Sequence, residues 1–144
     1  KQQTIFAETR NLAIWFFFCI FVNMAINKVP IVNAGVDKIV QLPNNQIVLT
    51  GTATDPDGTI SSVVWTKTSG GTCTITGQNT LTPTITGLLL GSYTFKLTAT
   101  DNKGATSSDS VKVTVTRVID DVVVDFDTKI VTITYSDSTT KVIS

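Results

Sequence analysis

Histidine is absent from this 144-residue chain, and cysteine occurs only at Cys19 and Cys73. Without an imidazole there is no Ser-His-Asp or Cys-His relay, and two thiols separated by more than fifty residues make no ordinary zinc ligand set. Charge is equally sparse. Only 15% of residues are Asp, Glu, Lys or Arg, and the formal net charge is +0. A chain of this kind has no basic field to hold a phosphate backbone, so nucleic acid is not an expected partner. No nucleophile stands beside a recognisable base, and an independent enzyme is not expected. No amphipathic helical periodicity competes with the extended texture of the chain after Pro30.

Long hydrophobic runs are scarce too. The one unbroken apolar run extends from Leu12 to Val22, with Arg10 before it and Asn23 after it. It is shorter than the roughly 18 to 20 residues that span a bilayer, and its length suits a secretory h-region. Residues 1–29 are therefore read as a signal peptide, with an uncleaved membrane anchor as the alternative. A third possibility is a buried strand, because "AIWFFFCIFV" is rich in aromatic and β-branched residues. Removal of a leader would leave Cys73 without an intramolecular partner, which predicts a disulfide-free mature domain in which Cys73 is a small buried apolar residue.

What the chain has in quantity is short runs of Val, Ile and Thr punctuated by Gly, Asn, Asp and Pro, the texture of an all-β sandwich. Strands are expected near Ile31–Asn33, Lys38–Leu42, Gln46–Thr54, Ile60–Thr68, Thr72–Ile75, Thr82–Thr86, Ser92–Thr100 and Ser107–Thr116. Alternate side chains of a strand point to opposite faces. In "SYTFKLTAT" this puts Tyr93, Phe95, Leu97 and Ala99 in the core and Ser92, Thr94, Lys96 and Thr98 outside. Val111, Val113 and Val115 face inward on the last sandwich strand, and Ile47, Leu49, Gly51 and Ala53 do so earlier. Trp65 is expected to fill the space between the sheets rather than to stack on a sugar.

From Pro30 to Arg117 the chain resembles a PKD domain, an immunoglobulin-like sandwich of two sheets with Greek-key connections. The resemblance rests on "NAG" at Asn33–Gly35, "DPDGTI" ahead of Trp65, "GSYTFKLTATDNKGA" and the closing alternation "VKVTV". The "WDFGDG" signature of many members is missing, since Thr66, Lys67 and Thr68 follow Trp65. Tyr93 lies two positions before Phe95, as a tyrosine-corner residue lies before the second core cysteine, so Phe95 stands where the resemblance implies a half-cystine. Packing of Phe95 against the Ile47–Leu49 region is expected in place of the disulfide.

The phrase "TATD" occurs twice, in "TATDPDG" at Thr52–Gly58 and in "TATDNKG" at Thr98–Gly104. In the expected topology both copies end at the same pole, which makes them matching positions across a core rather than a duplication. That pole gathers Asp55, Asp57, Asp101 and Asn102. Three carboxylates and an amide are the oxygen chemistry of a calcium site. They are equally the chemistry of Asx-turns, for which no cofactor is needed. Residues 118–144 show a second alternation, with "DFDTK" and "SDSTT" as turns. They read as a three-stranded meander too small to bury a face of its own, either an appendage or the opening of a further domain. Its Asp120, Asp121, Asp125 and Asp127 read as edge protection.

The expected function is that of a non-catalytic, secreted or cell-surface module, a spacer or adhesion and binding domain in contact with extracellular protein or glycan. The alternatives are a filament or surface-layer subunit that contacts neighbouring copies through the N-terminal apolar segment, and an accessory domain of a secreted hydrolase. Membrane contact is expected only through that segment.

Overall fold

The computed structural model describes residues 26–144. The leader or anchor expected over 1–29 therefore lies almost entirely outside the described residues. Twelve strands and no helix make up the described chain: β1 Ile31–Asn33, β2 Lys38–Gln41, β3 Ile47–Val48, β4 Thr52–Thr54, β5 Ile60–Ser69, β6 Thr74–Thr76, β7 Thr84–Thr86, β8 Gly91–Asp101, β9 Thr106–Thr116, β10 Ile119–Asp125, β11 Ile130–Tyr135 and β12 Thr140–Ile143.

The first nine strands build the expected immunoglobulin-like sandwich. One layer is the four-stranded sheet β2-β9-β8-β5, and the other is made of the pairs β1-β4 and the sheet β3-β7-β6. Strand β2 runs parallel to β9, with Lys38 opposite Val113 and Gln41 opposite Thr116, whereas β8 runs antiparallel to both of its neighbours, β5 and β9. The single strand expected over Gln46–Thr54 is divided into β3 and β4. Its ladder nevertheless continues across the gap, because Leu49 N–H donates to the Pro83 carbonyl at 3.1 Å and Gly51 N–H to the Leu81 carbonyl at 2.9 Å. The division comes from a change of partner: β3 pairs β7, and β4 pairs β1.

Period-two alternation fixes the core. Tyr93, Phe95, Leu97 and Ala99 of β8 are buried, as are Val111, Val113 and Val115 of β9. Leu49, Ile85 and Leu88 meet them from the other layer, and Trp65 lies in the same cluster at 1% exposure. The Tyr93 and Phe95 rings lie parallel with centroids 6.3 Å apart. Tyr93 forms the expected corner. Its hydroxyl accepts from Leu89 N–H at 2.9 Å and donates to the Leu89 carbonyl at 3.2 Å, which ties the turn before β8 to the core. Leu49 and Phe95 belong to one cluster with half-buried Ile47 packed on it, where a disulfide joins the sheets of antibody domains. Among the described residues Cys73 has no disulfide partner, and it is half-buried against the cluster rather than sealed inside it.

The meander expected at the C-terminus is present as the sheet β10-β11-β12. It joins the end of the sandwich by a few contacts. Ser136 Oγ donates to the Leu42 carbonyl at 2.7 Å, and the Arg117 guanidinium lies 3.7 Å from the Tyr135 ring centroid.

Candidate functional site

The two "TATD" strands, β4 and β8, belong to different sheets and end at one pole. There the loops after them interlock. Asn102 N–H donates to the Thr59 carbonyl at 2.9 Å, and Thr59 N–H donates back to Asn102 Oδ1 at 3.2 Å. Gly58 passes between the loops so closely that a Cβ there would lie 2.4 Å from Asn102 Oδ1 and 2.6 Å from Asp55 Oδ2. All four residues expected to share a site are thus brought together.

Their oxygens are largely committed to the protein itself. Asp101 is the buried charged residue of the described core, at 2% exposure. Its Oδ1 accepts the N–H groups of Lys103 at 2.7 Å and Ala105 at 2.9 Å, and its Oδ2 accepts the Asn27 amide at 2.8 Å. Burial opposes ionisation of this carboxyl, but the Asn27 amide and the N–H groups of Lys103, Ala105 and Gly104 outweigh it and hold the pKa below the ordinary carboxylate value. Asp57 is also held low, first by its bond to the Lys103 ammonium, whose nitrogen lies 2.8 Å from Oδ2. Lys103 is correspondingly raised, Asp57 being the main cause. Asp57 Oδ1 accepts Lys28 N–H at 3.1 Å. Asp55 Oδ1 accepts Asp57 N–H at 3.3 Å, while Asp55 Oδ2 and Asn27 Oδ1 are buried and meet no protein donor.

As arranged, this donor set does not suit calcium, which takes six to eight oxygens. Among the described residues no group of three or more His, Cys, Asp or Glu side chains is placed to hold a metal ion. Lys103 offsets one of the three carboxylate charges by pairing with Asp57, and the lone pairs of Asp101 face amide donors. What the pole does is fasten two loops and the entering chain to one another. Asn27 and Lys28 were not legible as part of it, since the sequence boundary leaves them before the sandwich. Two further carboxylates escaped sequence reasoning in the same way: Asp109 Oδ2 accepts Ala34 N–H at 2.8 Å, and Asp37 Oδ1 accepts Lys112 N–H at 2.9 Å. Both clamp the stretch around β1 and β2 to β9.

Away from the pole, the outward face of the four-stranded sheet carries hydroxyls in register. Thr100 stands opposite Thr106 and Ser62, and Thr98 opposite Ser108 and Val64. Lys96 and Lys112 are the charges interleaved with them on these strands. An open depression of about 250 Å³ beside β3 is lined by Asn44, Gln46, Ile47, Val48 and Thr84 and carries no charged group.

Comparison with known proteins agrees with this architecture. The family model of the K319L-like PKD domain matches residues 34–115. Among curated proteins, the mouse dyslexia-associated protein KIAA0319-like protein is 32% identical over 97 residues, covering 65% of this chain and 9% of that protein. Human low-density lipoprotein receptor-related protein 11 is 36% identical over 89 residues, covering 61% of this chain and 18% of that protein. The chain therefore spans less than a fifth of either relative. The solution structure of the PKD domain from the KIAA 1837 protein superposes with a TM-score of 0.55 at 34% identity, over 63% of this chain and 90% of that domain.

Proposed function

This chain belongs to the K319L-like PKD domain family, and we propose on that premise that it works as a non-catalytic extracellular module, a rigid spacer that presents its sheet faces to protein or glycan at a cell surface. One observation carries the reading beyond family membership: the chain enters and leaves the sandwich at opposite poles. Asn27 and Lys28 are bonded to the Asp57 and Asp101 pole. Strand β9 begins there at Thr106 and runs the length of the domain to Thr116, beyond which the Val118 carbonyl accepts Ser136 N–H at the other end. Eleven residues of β9 at roughly 3.3 Å each separate entry from exit by about 35 Å. An immunoglobulin-like unit traversed in this way adds its full length to whatever it links.

The receptor-related name of one relative supports the cell-surface half of the proposal. The in-register hydroxyl face supports the contact half, since hydroxyls donate and accept hydrogen bonds without the desolvation cost of charge. The test uses an antibody raised against the folded chain on source cells before and after permeabilisation. Labelling of intact cells is expected. Labelling that requires permeabilisation would overturn the proposal. Spin labels placed at positions 28 and 118 test the spacer half, which requires one narrow distance distribution rather than a broad one.

A further inference from the structure

We infer that the junction between the sandwich and the C-terminal sheet β10-β11-β12 is a locked joint, in which the turn between β11 and β12 grips the end of β9 so that the two parts move as one body. Only Arg117 and Val118 separate β9 from β10. Two small units joined by such a tether swing freely unless something holds them, because relative motion is the ordinary state of units that share little interface. Here the same turn holds both tether residues.

The turn is braced from within. Tyr135 N–H donates to the Thr139 carbonyl at 2.9 Å and Ser138 N–H to the Tyr135 carbonyl at 2.9 Å, with Ser138 in the left-handed region at φ 63°. Asp137 Oδ1 accepts Thr139 N–H at 3.0 Å and the Thr139 hydroxyl as well.

The first grip is the Ser136 hydroxyl. It accepts Val118 N–H at 3.1 Å and donates to the Leu42 carbonyl at 2.7 Å, while Ser136 N–H donates to the Val118 carbonyl at 2.8 Å. Leu42 is itself anchored, since its N–H donates to the Thr116 carbonyl at 2.9 Å and its side chain packs on the core cluster. One hydroxyl thus ties together the chain after β2, the tether and the turn. The second grip is the Arg117 guanidinium, which lies 3.7 Å from the Tyr135 ring centroid and donates through Nη1 to Thr139 Oγ1 at 3.0 Å. A planar guanidinium can stack and donate at once, which fixes its orientation. Each of the two hydroxyls has one proton. Ser136 directs its proton to Leu42 and Thr139 directs its own to Asp137, which leaves their lone pairs to Val118 N–H and to Arg117. A joint held in this way carries the direction of a spacer into the sheet that follows the sandwich, so its use rests on the spacer reading, although its geometry does not.

The test is double electron–electron resonance on the full chain, with spin-labelled residues introduced by codon expansion in place of Thr66 on the sandwich and Thr128 on the sheet, both exposed. One narrow distance distribution is expected for the unaltered joint, and a broad one for Ser136→Ala combined with Arg117→Ala. Hydrogen exchange separates a loosened joint from a misfolded sheet. In the double variant the Val118 amide should lose its protection, while the Tyr135 amide, bonded within the turn, and the Leu42 amide, bonded within the sandwich, keep theirs. A broad distribution for the unaltered joint would overturn the inference, and so would a narrow one for the double variant. Protection lost at Tyr135 together with Val118 would do the same, since the turn would then depend on the joint that it is meant to grip. A broad distance between 66 and 128 beside a narrow one between 28 and 118 would remove the joint and leave the spacer standing.

Discussion

Replacing Gly51 with alanine tests the packing of the sandwich where the backbone closely approaches core side chains. Gly51 is buried and its φ is not in the left-handed region, so alanine meets no backbone penalty and the whole effect is steric. A Cβ at this position would lie 2.5 Å from Leu97 Cδ2, 2.9 Å from Trp65 Cζ2 and 3.2 Å from the Asn33 carbonyl oxygen. Carbon atoms in contact prefer about 3.5 to 4.0 Å, so Leu97 must retreat by about 1 Å. It has nowhere to go. Leu97 is 0% and Trp65 1% exposed, and interiors are packed as densely as organic crystals. Overpacking of this kind costs about 1 to 3 kcal/mol. Leu97→Ala alone removes a buried side chain and costs about 2 to 5 kcal/mol. In the double variant the new methyl sits in part of the vacated space, so the combined loss should fall short of the sum by about 1 to 2 kcal/mol, well outside the few tenths within which independent sites add. Urea unfolding of all four forms, followed by far-ultraviolet circular dichroism with unchanged m-values, gives the cycle. A neutral Gly51→Ala, or strict additivity with Leu97→Ala, would refute the packing argument.

Trp65→Ala should cost about 3 to 5 kcal/mol in the same assay, the range for a buried large aromatic; an unchanged midpoint would mean that the indole is not part of the core. Folded-state pKa values depressed at Asp57 and Asp101 stabilise the protein above the unfolded carboxylate pKa, and that contribution is lost as pH falls below about 4 toward the folded values. Urea midpoints measured between pH 7 and pH 2 should therefore drop on the acid side, and Asp101→Asn should flatten the drop; an identical acid limb in the variant would contradict the assignment. Millimolar calcium and chelator should give the same melting temperature, because Lys103 and backbone amides already meet most of the carboxylate oxygens at the pole. A rise of several degrees with calcium, reversed by chelator, would show that Asp55 Oδ2 and Asn27 Oδ1 help to bind an ion.

The alternation of small polar and large apolar residues was enough to assign the inward residues Tyr93, Phe95, Leu97 and Ala99 of β8 and Val111, Val113 and Val115 of β9, because a strand that buries one face imposes period two on its sequence. Turn residues marked the loops between strands for an equally local reason. The links that fasten β1 and β2 to the domain were not legible. They are single carboxylates meeting single amides 75 residues away, and such a pair leaves no periodic trace. In the meander the alternation that sets Val122 with Val124, and Val131 with Ile133 and Tyr135, is legible in the sequence, whereas the bulge between Ile119 and Asp121, which shifts the face on which Ile119 lies, leaves no such trace.

The repeated phrase shows where local reading ends. Both copies of "TATD" close a strand at the same pole, yet Asp101 is buried with both oxygens bonded, and Asp55 is half-buried with one oxygen left over. The difference lies in the amide four residues on. Ala105 N–H turns back to Asp101 Oδ1, which closes that loop on its own aspartate. Thr59 N–H, the corresponding group of the first loop, is taken instead by Asn102 Oδ1 from the second loop. Asp55 is thereby left with Asp57 N–H alone among the hydrogen bonds to its carboxylate, and Gly58 must have no side chain so that Asn102 can reach across. Identical residues thus reach different ends because one loop completes itself and the other is completed by its neighbour. An Asn102→Ala change should accordingly disturb the loop that does not contain it, freeing the Thr59 amide to exchange with solvent while the Ala105 amide stays protected; equal protection of both amides in hydrogen exchange would contradict that division.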